Sequence, residues 1–499
     1  MLLFYFVLLQ FARSQDSITL FDIISPRSTQ RQFDTLSAAV SAEYSGRVIS
    51  FDATTLPKYE ARPVNLTRLN RKYRDYLYQG DMVLHPDTLD QIVDSSVKRR
   101  KRKAFVDHDY PTTIWGSGVP YTLHWSLTPS ARASILRAID FWQRETCIDF
   151  FQRTSQRQYV EFIGNDDGCW STVGKDNQLG RQVVSIGNGC EHFGVTSHEL
   201  AHALGVFHEQ SRYDRDAYVS LNPNVVDRSL LFNFAKIPST ELSLYNLPYD
   251  IGSVMHYTPT EFSRYPGVPA LSTVDPNLQQ TMGQMEGPSF LDVAVMNLHY
   301  KCASRCRQHL PCKNGGIIDS RGCNRCKCPG GFGGTYCETA APSFSRGCGG
   351  MVQVEEAVRR FEITIRQTGP DSREKQCNYQ LTAPPGKKIL INMLRIQGRC
   401  VEGCWVDGAE FKMLSDYRPL GYRFCCSLAN QRRLLSKSNV VPLIVTSRNA
   451  TTNLIFEYTY VDTRTRFDAE VGSTAEADLE ILESRDEEGV STSIHHMKQ

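Results

Sequence analysis

No cysteine occurs before Cys147, and after the opening dozen residues no apolar run approaches the ~20 residues that a bilayer-spanning helix needs. The second absence excludes a membrane span and predicts a soluble product. Charge of neither sign is in excess: 56 Lys and Arg stand against 54 Asp and Glu in 499 residues, so no overall basic field points to nucleic acid or to an anionic membrane. Any charge signal is local. The ending STSIHHMKQ is polar, so no lipid-anchor tail is expected.

What is present begins with MLLFYFVLLQFARSQ, an apolar core of signal-peptide length closed by the small residues Ala12 and Ser14. It predicts a signal peptide over residues 1–14 and a secreted, extracellular product. Sixteen cysteines form an even set that fits complete pairing in an oxidising compartment. They fall into three groups: Cys147, Cys169, Cys190 and Cys302 are widely spaced, six lie from Cys306 to Cys337, and the last six from Cys348 to Cys426. The length calls for several domains, and this grouping marks their boundaries.

Residues 15–103 carry the glycosylation sequon NLT at Asn65 and end in KRRKRK, Lys98 to Lys103. On the secretory route an exposed multibasic run is a target for a processing protease, so the segment reads as a removable prosegment in preference to a solvated charge cluster. The mature chain then begins near Lys103 or Ala104. From Ala104 to Cys302, SARASILRAIDFWQRET has helical spacing while YVEFIG and QVVSIG read as strands, which predicts an α+β domain. Residues 306–337 have too few apolar side chains for a core and depend on disulfides. From Cys348 to about Val461 the alternation in FEITI, KILINML, VPLIVT and NLIFEYTYV predicts an all-β sandwich, with a second sequon at Asn449. The acidic, aromatic-poor remainder, 462–499, reads as disordered.

The stretch HELAHALGVFHEQSRYDRD, His198 to Asp216, carries the chemistry. Helix positions four apart share a face, so His198 and His202 aim two imidazoles at one point. Gly205 is free to take positive φ and end the helix, which lets His208 supply a third ligand. Three neutral histidines with one open position describe a catalytic zinc site, one ion per chain. Zinc lowers the pKa of a bound water to about 7 and polarises a carbonyl, and Glu199 is placed to take that water's proton and pass it to the leaving amine. The full HExxHxxGxxH spacing is too rare by chance to be a helix with scattered histidines. Downstream, SVMHY puts Met255 where the metzincin pattern requires a methionine turn.

With these motifs the chain resembles the astacin family of zinc endopeptidases, over essentially all of residues 104–302, through HEQSRYDRDAYV, GCWSTVG, GNGC and the methionine turn. The resemblance implies two subdomains flanking a cleft with zinc at its floor. It implies that Tyr257 lies beside the metal and stabilises an oxyanion, where a tyrosine alone would be ordinary packing, and that Met255 forms an apolar floor. It implies the pairs Cys147 with Cys302 and Cys169 with Cys190. Glu209 would receive the freed N-terminus, the alternative being a surface salt bridge. YQGDMVL, Tyr78 to Leu84, resembles the family's inhibitory element, which makes Asp81 a metal ligand of the zymogen only; Gly-Asp is also a common turn pair.

Residues 303–338 resemble an EGF-like module. That resemblance implies the pairs Cys306 with Cys323, Cys312 with Cys326 and Cys328 with Cys337. Residues 348–461 resemble a CUB module that also holds Cys348 and Cys377. Pairing among Cys400, Cys404, Cys425 and Cys426 stays open. Asp407 reads as a turn aspartate, with calcium ligation the alternative. The module order resembles nematode astacins linked to moulting, hatching or matrix processing, so the expected partners are extracellular protein substrates. Two rivals are a binding protein with a degenerate protease and a structural matrix component. The complete set of ligands, base and tyrosine favours the peptidase.

Overall fold

The computed structural model describes residue 20 and residues 26–46, 57, 59–60, 65–98, 110–164, 168–239, 242–366, 375–428, 431–448 and 450–462. The expected signal peptide, the basic run beyond Lys98, Ala104, Asn449 and residues 463–499 lie outside them.

The cysteine-free N-terminal segment folds onto the chain that follows it. It contains helix α1 (Pro26–Glu43), the single turn α2 (Leu66–Leu69), the short strand β1 (Met82–Val83) and helix α3 (Pro86–Lys98). Phe33 of α1 stacks on Phe232 with ring centroids 4.0 Å apart, and Leu36, Val40, Leu89 and Ile92 join Leu230, Leu231 and Phe234 in one buried cluster. Asn65 caps α2 by accepting the Arg68 N–H.

Residues 110–302 form an α+β unit. Helix α4 (Pro129–Glu145) starts on a Thr128 cap with proline in its first turn, and buries Ala131, Ile135, Ala138, Ile139 and Trp142 at the spacing of one helix face. Strands β2 (Val119–Leu123), β3 (Phe150–Gln152), β4 (Tyr159–Ile163), β5 (Cys169–Thr172) and β6 (Arg181–Ile186) complete a six-stranded sheet with β1, in the order β1-β5-β6-β4-β2-β3. Every neighbouring pair is parallel except β5 with β6. Helix α5 (Phe193–Ala203) is pinned beside α4: the Trp142 indole N–H donates to the Ser197 carbonyl at 3.1 Å, and Val195 and Leu200 share a core with Ile135, Val160, Phe162 and Val184. The remainder is built mainly from short 3-10 turns, one two-stranded pair (Val219–Leu221 with Leu271–Thr273) and helix α6 (Phe290–His299). Disulfides join Cys147 to Cys302 and Cys169 to Cys190.

Residues 306–340 are built around two minimal hairpins. Three disulfides hold them: Cys306 with Cys323, Cys312 with Cys326 and Cys328 with Cys337. The resemblance of this segment to an EGF-like module implies the same pairs. Of the six, Cys326 and Cys337 are buried with Phe332, while Cys312 and Cys328 are only half-buried at the edge of that cluster. Cys323 takes φ +56, in the left-handed region, within the turn that follows Asp319. So small a core leaves the covalent links to fix the chain path. The segment is clamped to the preceding unit by Arg321. That guanidinium donates to the carbonyls of Gln143 and Thr146, both at 2.7 Å, and of Ile148 at 2.6 Å, at the end of α4.

The β-rich C-terminal region is two facing sheets. One holds Gly350–Gln353, Lys375–Thr382, Val440–Ser447, Asp407–Phe411 and Tyr422–Phe424; the other holds Arg359–Ile365, Thr452–Asp462, Lys387–Gln397 and Arg432–Leu435. Alternating Ile389, Ile391 and Met393 meet Leu443, Val445 and Phe456 between them. Cys348 pairs with Cys377, Cys400 with Cys426 and Cys404 with Cys425. Asp407 accepts the Arg448 and Ala450 N–H groups of a turn at 2.8 and 3.3 Å.

This sandwich packs directly on the 110–302 unit. Leu420 N–H donates to Asp250 at 3.1 Å, and the Thr281 hydroxyl donates to the Gly421 carbonyl at 2.8 Å. Beside that contact Glu410 is buried between Lys412 Nζ at 3.2 Å and Arg423 Nε at 2.9 Å. Burial alone would raise its carboxyl, but the two cations outweigh it and hold the pKa down to about 2. A depressed folded pKa gives stability that is present above the unfolded value and lost as pH falls through the folded one. The Glu410 contribution, about 3 kcal/mol by linkage, is therefore expected to disappear between about pH 4.5 and 2. In urea titrations across that window, Glu410→Gln should flatten the pH dependence of the unfolding free energy relative to the unsubstituted chain; parallel curves would refute the assignment.

Candidate metal centre and its surroundings

Helix α5 is buried along its whole length from Gly194 to Ala203, so its two histidines can face inward without exposing apolar surface elsewhere. It lies tight against the chain after residue 280: a Cβ at Gly194 would overlap the Met285 carbonyl, so only glycine fits. The helix ends where Gly205 takes φ +102, with Gly205 N–H donating to the His202 carbonyl at 2.8 Å and Val206 N–H to that of Ala201 at 3.1 Å. The reversal brings His208 back toward the helix.

Three Nε2 atoms converge. His202 and His198 are 3.0 Å apart and His208 and His198 3.3 Å. Asp81 closes the group, its Oδ2 lying 3.2 Å from both His198 and His208 and its Oδ1 3.6 Å from His202. Each Nδ1 has an oxygen partner outside the cluster: the Val254 carbonyl for His198 at 2.8 Å, the Val206 carbonyl for His202 at 2.7 Å, and the Gln79 side-chain oxygen for His208 at 3.1 Å. Oxygens that can only accept force Nδ1 to donate, which leaves the Nε2 lone pairs aimed at one another. Burial favours the neutral ring at two of them, shifting His202 down and His208 down to about 4. Burial by itself would raise the Asp81 carboxyl, yet the three rings, His208 foremost, hold it well below the usual range.

This donor set fits zinc. The spacings of 3.0–3.3 Å among Nε2 and Oδ2 atoms are close to the ~3.3 Å edge of a tetrahedron whose corners lie ~2.0–2.1 Å from its centre. Neutral imidazoles with lone pairs directed at one point and a single carboxylate are what a divalent ion of this type requires. Asp81 Oδ1 and both carboxyl oxygens of Glu199 are buried with no hydrogen-bond partner among the described residues, a state polar groups rarely occupy without a further ligand. Burial, then the charge of Asp81, pushes the Glu199 carboxyl well above its usual value. The sulfurs of Cys404, Cys425 and Cys426 also lie together, but all three are tied up in disulfides.

The walls come from distant chain. Tyr257 packs its ring 5.0 Å from that of His208 and donates its hydroxyl to the Gln79 carbonyl at 2.6 Å. Met255 is buried in the core cluster containing α5, and its carbonyl accepts the Glu209 N–H at 2.9 Å. Asp292, at the start of α6, fixes this turn by accepting the Ser253 hydroxyl and the Val254 N–H at 3.0 Å. Asn70 steadies the approach of Asp81: its side chain donates to the carbonyls of Gly80 and Cys169 and accepts the Cys169 N–H. Glu209 accepts from Arg212 Nη1 and Asp250 N–H, both at 2.9 Å, and burial pushes its carboxyl up to about 7. A cavity of only about 20 Å³ remains beside the centre, room for little more than one water.

Gln79, Asn70 and Asp292 had no place in the sequence reading. Only Asp292 had a visible signal, the Ser289-x-x-Asp292 capping box that is present at α6, and that pattern announces a helix start without saying what else the carboxylate supports.

A family model described as Astacin (Peptidase family M12A) matches residues 107–301. The chain is 54% identical over 477 residues to zinc metalloproteinase nas-29 of Caenorhabditis elegans, covering 92% of this chain and 90% of that protein. It is 36% identical over 386 residues to zinc metalloproteinase dpy-31 of Brugia malayi, covering 75% and 63%. Among solved structures, the hatching enzyme zinc-protease high choriolytic enzyme 1 of Oryzias latipes aligns at 31% identity and TM-score 0.36, over 40% of this chain and 99% of that one.

Removing one ring together with the carboxylate tests the site independently of activity. His202→Ala combined with Asp81→Ala, which leaves two rings, is expected to lower zinc from one ion per chain to less than about a tenth of that after dialysis, whereas Asp81→Ala alone keeps it, since three histidines suffice for a catalytic zinc and two do not. Elemental analysis beside a circular dichroism spectrum checks it: undiminished zinc in a folded double variant would refute the ligand assignment.

Proposed function

The chain belongs to the astacin family of zinc metalloproteinases, and from that premise we propose a secreted endopeptidase, made as a zymogen, that hydrolyses peptide bonds in extracellular proteins. Residues 104–302 are the catalytic domain, followed by an EGF-like module over 303–338 and a CUB module over 348–461; the eight disulfides support export. Residues 15–103 are the prosegment, released by a processing protease at the 98–103 run. Asn65 in that segment and Asn449 in the CUB module are glycan acceptors.

The observation that carries this reading is Asp81 seated among His198, His202 and His208. Five consecutive residues, Gln79 to Val83, block three functions together. Asp81 takes the coordination place a water would need. The Gln79 carbonyl holds the Tyr257 hydroxyl. Met82 and Val83 pair in parallel with Ser171 and Thr172, covering the β5 edge on which an extended substrate could add as a strand.

In the processed chain zinc supplies a water acidic enough to ionise near neutrality and a Lewis acid for the scissile carbonyl. Glu199 takes the proton from the attacking water and returns it to the departing amine. The Tyr257 hydroxyl, freed from Gln79, donates to the carbonyl oxygen as negative charge gathers there. Met255 supports the rings from below, and Glu209, whose half-buried carboxyl has Arg212 as its cation, receives the new N-terminal ammonium.

Two substitutions test this assignment. In uncleaved precursor, Asp81→Ala is expected to raise hydrolysis of an unfolded protein measurably but to leave it well below that of processed chain, because the Gln79 and Met82–Val83 contacts remain; activity no higher than that of the parent precursor in a variant that still binds zinc would refute the blocking role of Asp81. In processed chain, Glu199→Gln should lower kcat by roughly 10²–10⁴ while zinc content is unchanged, and a kcat within about threefold of the parent would remove Glu199 from the mechanism.

A further inference from the structure

Upstream of Asp81 the N-terminal segment also touches the sandwich. Glu60 N–H donates to the Cys400 carbonyl at 2.9 Å, and Tyr59 packs against the four buried half-cystines Cys400, Cys404, Cys425 and Cys426. Sulfur beside an aromatic ring is a favourable contact, and two adjacent disulfides hold this seat rigid. The Tyr59 hydroxyl is buried without a hydrogen-bond partner among the described residues. The seat therefore reads a ring and gains nothing from the hydroxyl.

The seat is continuous with the wall of the metal centre. Thr260, three residues after Tyr257, donates its hydroxyl to Glu402 at 3.2 Å. Gly403 lies so close to Gln284 that a Cβ would overlap that residue's backbone. The Gln280 side-chain oxygen accepts the Cys425 and Cys426 N–H groups at 3.3 and 3.4 Å. Met285, next in sequence to Gln284, lines the cavity beside Asp81 and His208. One stretch of chain, 280–285, thus backs both places.

Resting on the reading of residues 15–103 as a removable prosegment, we propose that the disulfide knot 400–426, with Glu402 at its edge, is a distal substrate subsite that takes an aromatic side chain of an extended polypeptide once Tyr59 has left. A segment that fills the metal centre with Asp81 and the knot with Tyr59 marks two points that a long substrate can also reach. The vacated knot offers a rigid apolar surface for a ring and the Cys400 carbonyl for a backbone N–H, the combination by which extended peptides are bound.

The test uses a fluorescently labelled peptide of residues 55–64, TLPKYEARPV, with versions carrying Tyr59→Phe and Tyr59→Ala, titrated by anisotropy into processed chain and into uncleaved precursor. Processed chain should bind the parent and Phe peptides about tenfold more tightly than the Ala peptide, as expected for loss of a buried aromatic anchor. The precursor, with its own Tyr59 in place, should bind the parent about tenfold more weakly than processed chain does. Unlabelled parent peptide should slow hydrolysis of a long unfolded protein while leaving a short fluorogenic peptide, too short to span to the sandwich, unaffected. Equal binding of the Tyr and Ala peptides, or equal inhibition of both substrates, would overturn the subsite. Failure of the peptidase reading shows differently, as no hydrolysis of the short peptide at all, and the binding titrations still decide the knot.

Discussion

A carboxylate at 1% exposure, Asp81 faces the lone pairs of three ring nitrogens, and such a group is tolerable in the interior only with a cation held among these four donors; an unpaired buried charge would cost more than most folds can offset. Much of the surrounding structure meets that one requirement. Gly80 takes φ +88, in the region that favours glycine, to turn the chain into the centre. Asn70 fastens the turn to Cys169, β1 adds itself to the sheet edge, and α1 and α3 anchor the segment through Phe33, Leu36, Leu89 and Ile92. Conversely the His198 ring is fixed by the Val254 carbonyl, whose position depends on the methionine turn and on Asp292 below it.

The three histidines could be read in the sequence because their relation is local. Two share a helix face and the third follows a glycine reversal, so ten residues of chain suffice to bring them together. Asp81 lies 117 residues from His198, and nothing in composition or spacing links them; only the resemblance of YQGDMVL to a family element pointed there. Gln79 shows the limit most plainly. Its side-chain oxygen and its carbonyl serve His208 and Tyr257 respectively, yet a glutamine before Gly-Asp reads as an ordinary turn residue. The helix α4, the strands β4 and β6 and the alternating C-terminal strands were legible from periodicity, which reports burial faces and is silent about partners.

The same limit applies to the cysteines and to the way the modules meet. The links Cys306 to Cys323, Cys312 to Cys326 and Cys328 to Cys337 could be named in advance only through a family resemblance, since six cysteines by themselves allow many pairings. The four crowded ones further on had no such guide; the structure joins Cys400 to Cys426 and Cys404 to Cys425. The contact between the sandwich and the 110–302 unit relies on backbone groups and close approach, as at Leu420, Gly421 and Gly403, none of which leaves a hydrophobic pattern to read. Arg321 does the corresponding work for the small disulfide-rich module, satisfying carbonyls at the end of α4 that the helix itself leaves free. These contacts make the accessory regions part of one packed body.

Gln79, Asp81 and the Met82–Val83 strand sit on one short piece of backbone, and that proximity has a kinetic meaning. Peeling the strand from β5 pulls the carboxylate from the rings and frees the tyrosine in the same movement, because no flexible linker separates the three. On the zymogen reading, awakening is then a single all-or-none event: a molecule is either fully shut or fully competent, and partial trimming upstream yields a dose of enzyme set by how many chains have opened, with no population working at half strength.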